Sequence, residues 1–194
     1  MHPYFSLQGR TALVTGGTRG IGKMIAKAFV EAGATVYVCA RDGEACAQTA
    51  AELSAFGTCH GIAANLASEE GVHVLAEQLT ATIGSLDILV NNAGTTWGAP
   101  LESYPAKGWE KVMQLNVTSV FTCIQQFLPL LRKGGSAANP ARIINIGSVA
   151  GISSFGEEAY AYGPSKAALH QLSRILAREL VSQHINVNVI APGR

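Results

Sequence analysis

The stretch TALVTGGTRGIG, residues 11–22, leaves this chain few folds to choose from. A short β-branched run, TALVTG (11–16), enters a turn with glycines at Gly16, Gly20 and Gly22, and GIGKMIAKAFVEAG continues as a helix. The spacing is GxxxGxG rather than the commoner GxGxxG. Glycine permits the tight turn and lets a pyrophosphate approach the backbone, while the helix N-terminus offers N–H donors and a partial positive charge. Such a turn alone is weak evidence, because any strand-to-helix turn uses glycine for its backbone angles. Its place, after the first strand and opening the first helix, is the context that a dinucleotide site requires.

The same alternation continues along the chain. Strands are predicted at TVYVCA (35–40), TCHGIAANL (58–66), LDILVNNAG (86–94), RIINIGS (142–148) and INVNVIAPG (185–193). Asp42 is placed to cap the second helix, and Ser68 the third, which carries Glu69 and Glu70 where the helix dipole favours negative charge. One long helix is predicted around GWEKVMQLNVTSVFTCIQQFLPLLRKG (108–134). Strands such as ILVNN and RIINIG are apolar without clean alternation, as expected where both faces of a sheet are covered. Strand–helix–strand repetition implies a parallel sheet with right-handed crossovers. The fold class is α/β, a doubly wound Rossmann sheet with six strands in a single domain over residues 1–194.

Composition narrows the function. The chain is 48% apolar and 14% charged, with a formal charge of +1, which gives no electrostatic reason to expect a nucleic acid or an anionic membrane as partner. No apolar run approaches the roughly 20 residues of a membrane helix, and MHPYFSLQGR lacks the pattern of a signal peptide. Cys39, Cys46, Cys59 and Cys123 show no metal-ligand spacing and read as small buried hydrophobes of a reducing compartment, so no metal site and a cytoplasmic location are expected.

Two motifs point to chemistry. At the end of the second strand an acidic residue would read the ribose 2′-hydroxyl of NAD, and an arginine would accommodate the 2′-phosphate of NADP. Arg41 stands at that tip and Arg19 lies inside the glycine turn, so NADP(H) is the predicted cofactor. Ordinary solvated arginines are the competing reading, and Asp42 is better explained as a helix cap than as an NAD reader. In YAYGPSK (160–166), residues four apart share a helix face at roughly 5–6 Å between Cβ atoms, and that pairs Tyr162, not Tyr160, with Lys166. A phenol beside a fixed positive charge loses its proton more easily than a free one, whose pKa is about 10. Tyr162 is therefore a candidate proton donor, although one such pair also arises by accident. Tyr160 packs or lines the substrate side, and His170, His60 and His73 read as packing or surface residues.

TGGTRGIG, NNAG (91–94), Asn116, Ser148 and YGPSK occur in the order and approximate spacing of the short-chain dehydrogenase/reductases, and the chain resembles that family over essentially every residue. It is similar to the bacterial 3-oxoacyl-thioester reductases, and among these to the type associated with rhamnolipid biosynthesis. The resemblance implies NADPH-dependent reduction of a 3-oxoacyl thioester, carried by acyl carrier protein or CoA, to the 3-hydroxyacyl product. It implies that Tyr162 donates the proton to the substrate carbonyl oxygen and that Ser148 hydrogen-bonds that oxygen. Lys166 would hold the nicotinamide ribose and act on Tyr162, with Asn116 anchoring Lys166 and a water path. Gly16, Thr18, Arg19, Gly20, Ile21, Gly22, Arg41, Asn65, Leu66, Asn91, Ala93 and Gly94 would lie along the cofactor, with Pro192 and Gly193 near its nicotinamide end.

Each of these residues has a plain structural alternative when taken singly. Ser148 can satisfy backbone groups after a strand, and NNAG can simply end one. Their joint occurrence on one sheet makes the functional reading the stronger. Asn65 stands where many relatives carry an aspartate for adenine, which predicts modestly altered cofactor affinity. Relatives usually continue past the position of Arg194 with a substrate-covering segment and another strand, so the chain is expected to be a C-terminally truncated fragment. Trp97, Ile152 and Phe155 suggest an apolar pocket. The long helices, apolar on more than one face, suggest a homodimer or homotetramer. The alternatives are the same chemistry on another ketone or alcohol, and a dinucleotide-binding module without turnover.

Overall fold

The computed structural model describes residues 5–154 and 158–193. Its centre is a sheet of β1 (Thr11–Thr15), β2 (Thr35–Ala40), β3 (Thr58–Ala63), β4 (Ile88–Asn91), β5 (Ala141–Ile146) and β6 (Ile185–Ile190). All adjacent strands pair in parallel, in the order β3-β2-β1-β4-β5-β6. The order reverses between β1 and β4, and in a doubly wound sheet the crevice outside the carboxyl ends of the strands at that point takes the ligand. The helices are α1 (Gly20–Glu31), α2 (Gly43–Leu53), α3 (Glu69–Thr82), α4 (Ala106–Met113), α5 (Ser119–Gly134) and α6 (Tyr162–Leu180).

The period of two along each strand sorts its side chains into two cores. Leu13, Leu89 and Ile143 pack with Leu75 and Leu79 of α3, Phe127 and Leu131 of α5 and Leu169 of α6. Ala12, Val14, Val36, Val38 and Val90 pack with Ala26 and Val30 of α1 and Leu53 of α2. Helices on both faces explain why the inner strands β1 and β4 are apolar and buried almost throughout, whereas the edge strands β3 and β6 keep exposed polar positions. Phe127 is fully buried, and burial of such a side chain contributes roughly 1.5–3 kcal/mol. Both predicted caps are present: an Asp42 carboxylate oxygen accepts from Ala45 N at 3.1 Å and Ser68 Oγ from Gly71 N at 3.2 Å. At the opposite end of the sheet from the crevice, Asp87 accepts from Arg10 Nη1 at 2.7 Å and from Thr11 N at 2.8 Å, tying the start of β1 to the start of β4.

The long helix predicted over 108–134 is interrupted. Between α4 and α5 the chain makes one wide π-helical turn, Gln114–Thr118, where Ser119 N donates to Gln114 O. Such turns are rare and concentrate at functional sites. This one carries Asn116. The four cysteines are free and buried, as predicted. Among the described residues no helix is long and apolar enough to cross a membrane, and no group of three or more His, Cys, Asp or Glu side chains is placed to hold a metal ion.

Candidate active site

The glycine turn is laced to the end of β4. Gly16 and Gly20 adopt φ of 63° and 53°, the left-handed region that favours glycine. A Cβ at Gly22 would overlap Gly16 O and Asn92 Nδ2. Asn92 Nδ2 donates to Thr15 O at 2.9 Å and to Gly16 O at 3.1 Å. Thr15 Oγ1 accepts from Asn92 N and Ala93 N, both at 3.0 Å. The first turn of α1 holds no acidic residue and its N-cap, Arg19, makes no side-chain capping bond, so its N–H donors are not satisfied by a side chain there.

Asn91, predicted to lie along the cofactor, faces the other way. It is 2% exposed, and its Nδ2 donates to Asn145 Oδ1 at 2.8 Å, whose own Nδ2 donates to Ser173 Oγ on α6 at 2.8 Å. Neighbouring residues of a strand point to opposite faces, so the first asparagine of NNAG goes to the α6 side and the second to the glycine turn. Asn92 and Thr15 thus tie the glycine turn to the end of β4, while the Asn91 side chain is engaged on the α6 side.

Above the turn a cleft of about 570 Å³ is lined by Gly16, Thr18, Arg19, Arg41, Leu66, Ala93 and Gly94 among others, which brings these seven of the predicted cofactor residues together. Lys111 of α4 lines it as well and was not predicted; an exposed lysine on a helix carries no sequence signal of its own. Asp42 also lines this cleft, but its carboxylate serves as the α2 cap. Asn65 spends its side chain on the β3–α3 turn, accepting from Ala67 N at 3.2 Å, while Leu66 is turned into the cleft. Gly20 and Ile21 lie exposed at the start of α1, and Gly22 is buried beneath it.

A second cleft, about 810 Å³, opens at the start of α6 and is lined by Ser148, Tyr162, Tyr160, Ile152 and Gly193. Ser148 ends the stretch after β5, its Oγ accepting from Ala150 N at 3.1 Å. Pro192 O accepts from Val149 N at 3.1 Å and so holds the Ser148 loop to the segment after β6. Tyr160 lines this cleft and also packs edge-on against Tyr104, with ring centroids 5.6 Å apart. Trp97 does not join the lining; it packs on Gly108 with Lys107 and Lys111 over its ring. Phe155 lies outside the described residues.

Lys166 stands between the two clefts. It is 5% exposed, and its Nζ donates to Ile146 O at 2.7 Å and lies 5.7 Å from the centroid of the Tyr162 ring. A Cβ on Gly94 would be 3.7 Å from Lys166 Nζ and 3.2 Å from Asn116 Oδ1, so glycine leaves room at that junction. Burial pulls the Lys166 ammonium down to about 8. Asn116 does not anchor Lys166 with its side chain. It is wholly buried and pairs both ways with the Thr95 backbone, at 2.8 and 2.9 Å, and donates to Ser165 Oγ at 3.0 Å. Ser165 Oγ in turn donates to Tyr162 O at 2.7 Å. The wide turn thereby fixes the first turn of α6 against the strand-end loop that carries Gly94.

A glycine-cradled cleft at the switch point, joined through a buried lysine to a tyrosine and a serine on a second cleft, defines a nucleotide-dependent oxidoreductase of the short-chain type. The short chain dehydrogenase family model matches residues 10–194, and this chain belongs to that family. It is 73% identical over 194 residues to a Pseudomonas aeruginosa protein named rhamnolipids biosynthesis 3-oxoacyl-acyl-carrier-protein reductase, covering 100% of this chain and 76% of that one. A 3-oxoacyl-acyl-carrier-protein reductase of Aquifex aeolicus is 37% identical over 189 residues, covering 96% of this chain and 74% of its own. Among solved structures, an active-site complex of Pseudomonas aeruginosa RhlG with NADP superposes with a TM-score of 0.98 at 73% identity, covering 100% of this chain and 76% of that one.

Proposed function

We propose that this chain is an NADPH-dependent reductase that converts the keto group of a 3-oxoacyl thioester, borne by acyl carrier protein or CoA, to the 3-hydroxyacyl product. The observation that carries the reading is the placement of Lys166: one buried ammonium sits beside Tyr162 on one cleft and beside Gly94 at the rim of the other. The residues present suit NADP(H). Gly16 and Gly22 leave no room for side chains where the backbone folds closely, and Arg19, Arg41 and Lys111 set positive charge along the cleft for phosphates. NADPH, when bound, supplies the hydride, and the protein supplies aim and electrostatics.

Charge then develops on the carbonyl oxygen, and donors aimed there stabilise the transition state. Ser148 and Tyr162 line one cleft, and their hydroxyls fill that role, with Tyr162 giving up its proton to complete the alcohol. Lys166, buried with its ammonium 5.7 Å from the centroid of the Tyr162 ring, would hold the nicotinamide ribose beside that tyrosine. Asn116 and Ser165 keep the first turn of α6 in place, and Thr15 and Asn92 do the same for the glycine turn. The name of the relative at 73% identity supports a 3-oxoacyl thioester over other ketones and a role in lipid or rhamnolipid synthesis, and a cytoplasmic location goes with that reading. Exposed Trp109, Phe121 and Ile175 on α4, α5 and α6 support assembly as a homodimer or homotetramer.

The test is NADPH oxidation with acetoacetyl and longer 3-oxoacyl thioesters beside a sugar, a steroid ketone and a small ketone. Faster turnover of the thioesters, rising with chain length, supports the reading. Preference for another carbonyl reassigns the substrate, and NADPH binding without any turnover contradicts the enzyme reading altogether.

A further inference from the structure

We propose that His170 is a positioning residue for this reaction: its neutral imidazole supports the Ser148 loop by accepting the Ser148 amide hydrogen, and so sets where Ser148 Oγ meets the substrate carbonyl. The inference rests on the reductase reading above. His170 lies one turn beyond Lys166 on α6 and is 6% exposed. Its Nε2 accepts from Ser148 N at 3.4 Å, a long bond held by tight surroundings. A Cβ on Gly147 would collide with His170 Nε2 and Cδ2, and one on Gly151 would come within 3.0 Å of Cε1. Both flanks of the Ser148 loop therefore lie directly against the ring. The serine is held twice, at its amide by His170 and at its Oγ by Ala150 N. A leucine would fill the space as well, but only an acceptor engages the amide of the residue that presents the hydroxyl.

The contact requires the neutral ring, because a protonated imidazole donates from both nitrogens. With Nε2 accepting, the single proton sits on Nδ1. Burial first, then the charges of Arg174 and Lys166, push the His170 pKa down. The 147–151 loop, the π turn Gln114–Thr118 and β6 carry no ionisable side chain to oppose that. His170 consequently stays neutral near pH 7 and takes up a proton only as the pH falls below the ordinary histidine range near 6.5. Protonation would then set a second cation beside Lys166 and turn the accepted amide into a clash of donors.

The experiment compares His170→Leu and His170→Gln in the full chain. Leucine should lower kcat roughly tenfold, the order expected for one lost hydrogen bond, with NADPH affinity unchanged. The parent's kcat should fall on acidification as His170 takes up a proton, and glutamine, which keeps an acceptor, should restore most of the leucine loss and remove that fall. Equal kcat in both variants, or losses that follow the melting temperature alone, would overturn the proposal. A second readout needs no substrate: long-range 1H–15N spectra should show a Nδ1-protonated ring, and the Ser148 amide should shift as His170 titrates. A Ser148 amide blind to that titration overturns the contact, whereas a titrating amide in a protein that reduces no thioester upholds the contact and contradicts only the substrate reading.

Discussion

Replacing Lys166 with Met separates what the site costs the fold from what it gives the chemistry. Lys166 is buried, and its ammonium is held at about 8 instead of the ordinary 10.5. Keeping that charge inside the folded protein at pH 7 costs about 3 kcal/mol. Methionine fills similar space without the charge, but it also removes the donor from Ile146 O, which costs about 1–3 kcal/mol. At pH 7 the two effects offset one another, so pH dependence is the informative variable. Below pH 8 the lysine is charged both folded and unfolded, and the full penalty applies. Between about 8 and 10.5 the folded protein releases the proton while the unfolded chain keeps it, and the penalty shrinks. The parent therefore gains on the Met variant as the pH rises. Urea denaturation of both cofactor-free proteins between pH 7 and 10 should show their difference in unfolding free energy move by about 2–3 kcal/mol in favour of the parent. A difference that stays flat would refute the desolvated ammonium. The variant should also lose reductase activity, and an active Lys166→Met protein would remove the lysine from the mechanism.

Two further perturbations address the cofactor cleft. Arg41→Ala should weaken NADPH binding by on the order of tenfold or more, the loss of a charged hydrogen bond, and leave NADH nearly unchanged in fluorescence titrations; equal losses would contradict the 2′-phosphate assignment. Asn92→Ala removes both donors to Thr15 O and Gly16 O, so urea denaturation should show a loss of about 1–3 kcal/mol together with weaker NADPH binding, whereas Asn91→Ala should destabilise without a comparable change in affinity.

The sheet, its layers and the capped helices were legible because each rests on local chemistry: β-branched runs, Asp42 and Ser68 at caps, and glycines where φ turns positive. The pairing of Tyr162 with Lys166 was legible for the same reason, since it lies within one helical turn. What escaped depends on partners far along the chain. The π turn at Asn116 is matched by contacts to Thr95 and Ser165, 21 and 49 residues away. Which asparagine of NNAG faces the glycine turn depends on the phase of β4, which an end-of-strand motif does not reveal. His170 resembled any polar helix residue until β5 and its loop were laid against it, with glycines at 147 and 151 giving it room.

The central claim is that the Tyr162 hydroxyl delivers the proton that completes reduction of a ketone. Single-turnover NADPH oxidation by the parent and by Tyr162→Phe, with a 3-oxoacyl thioester at saturation, tests it most directly. The account predicts a fall in rate of on the order of 10²–10⁴, as for removal of a general acid, with NADPH affinity kept. A phenylalanine variant that reduces the thioester at the parent rate would contradict it.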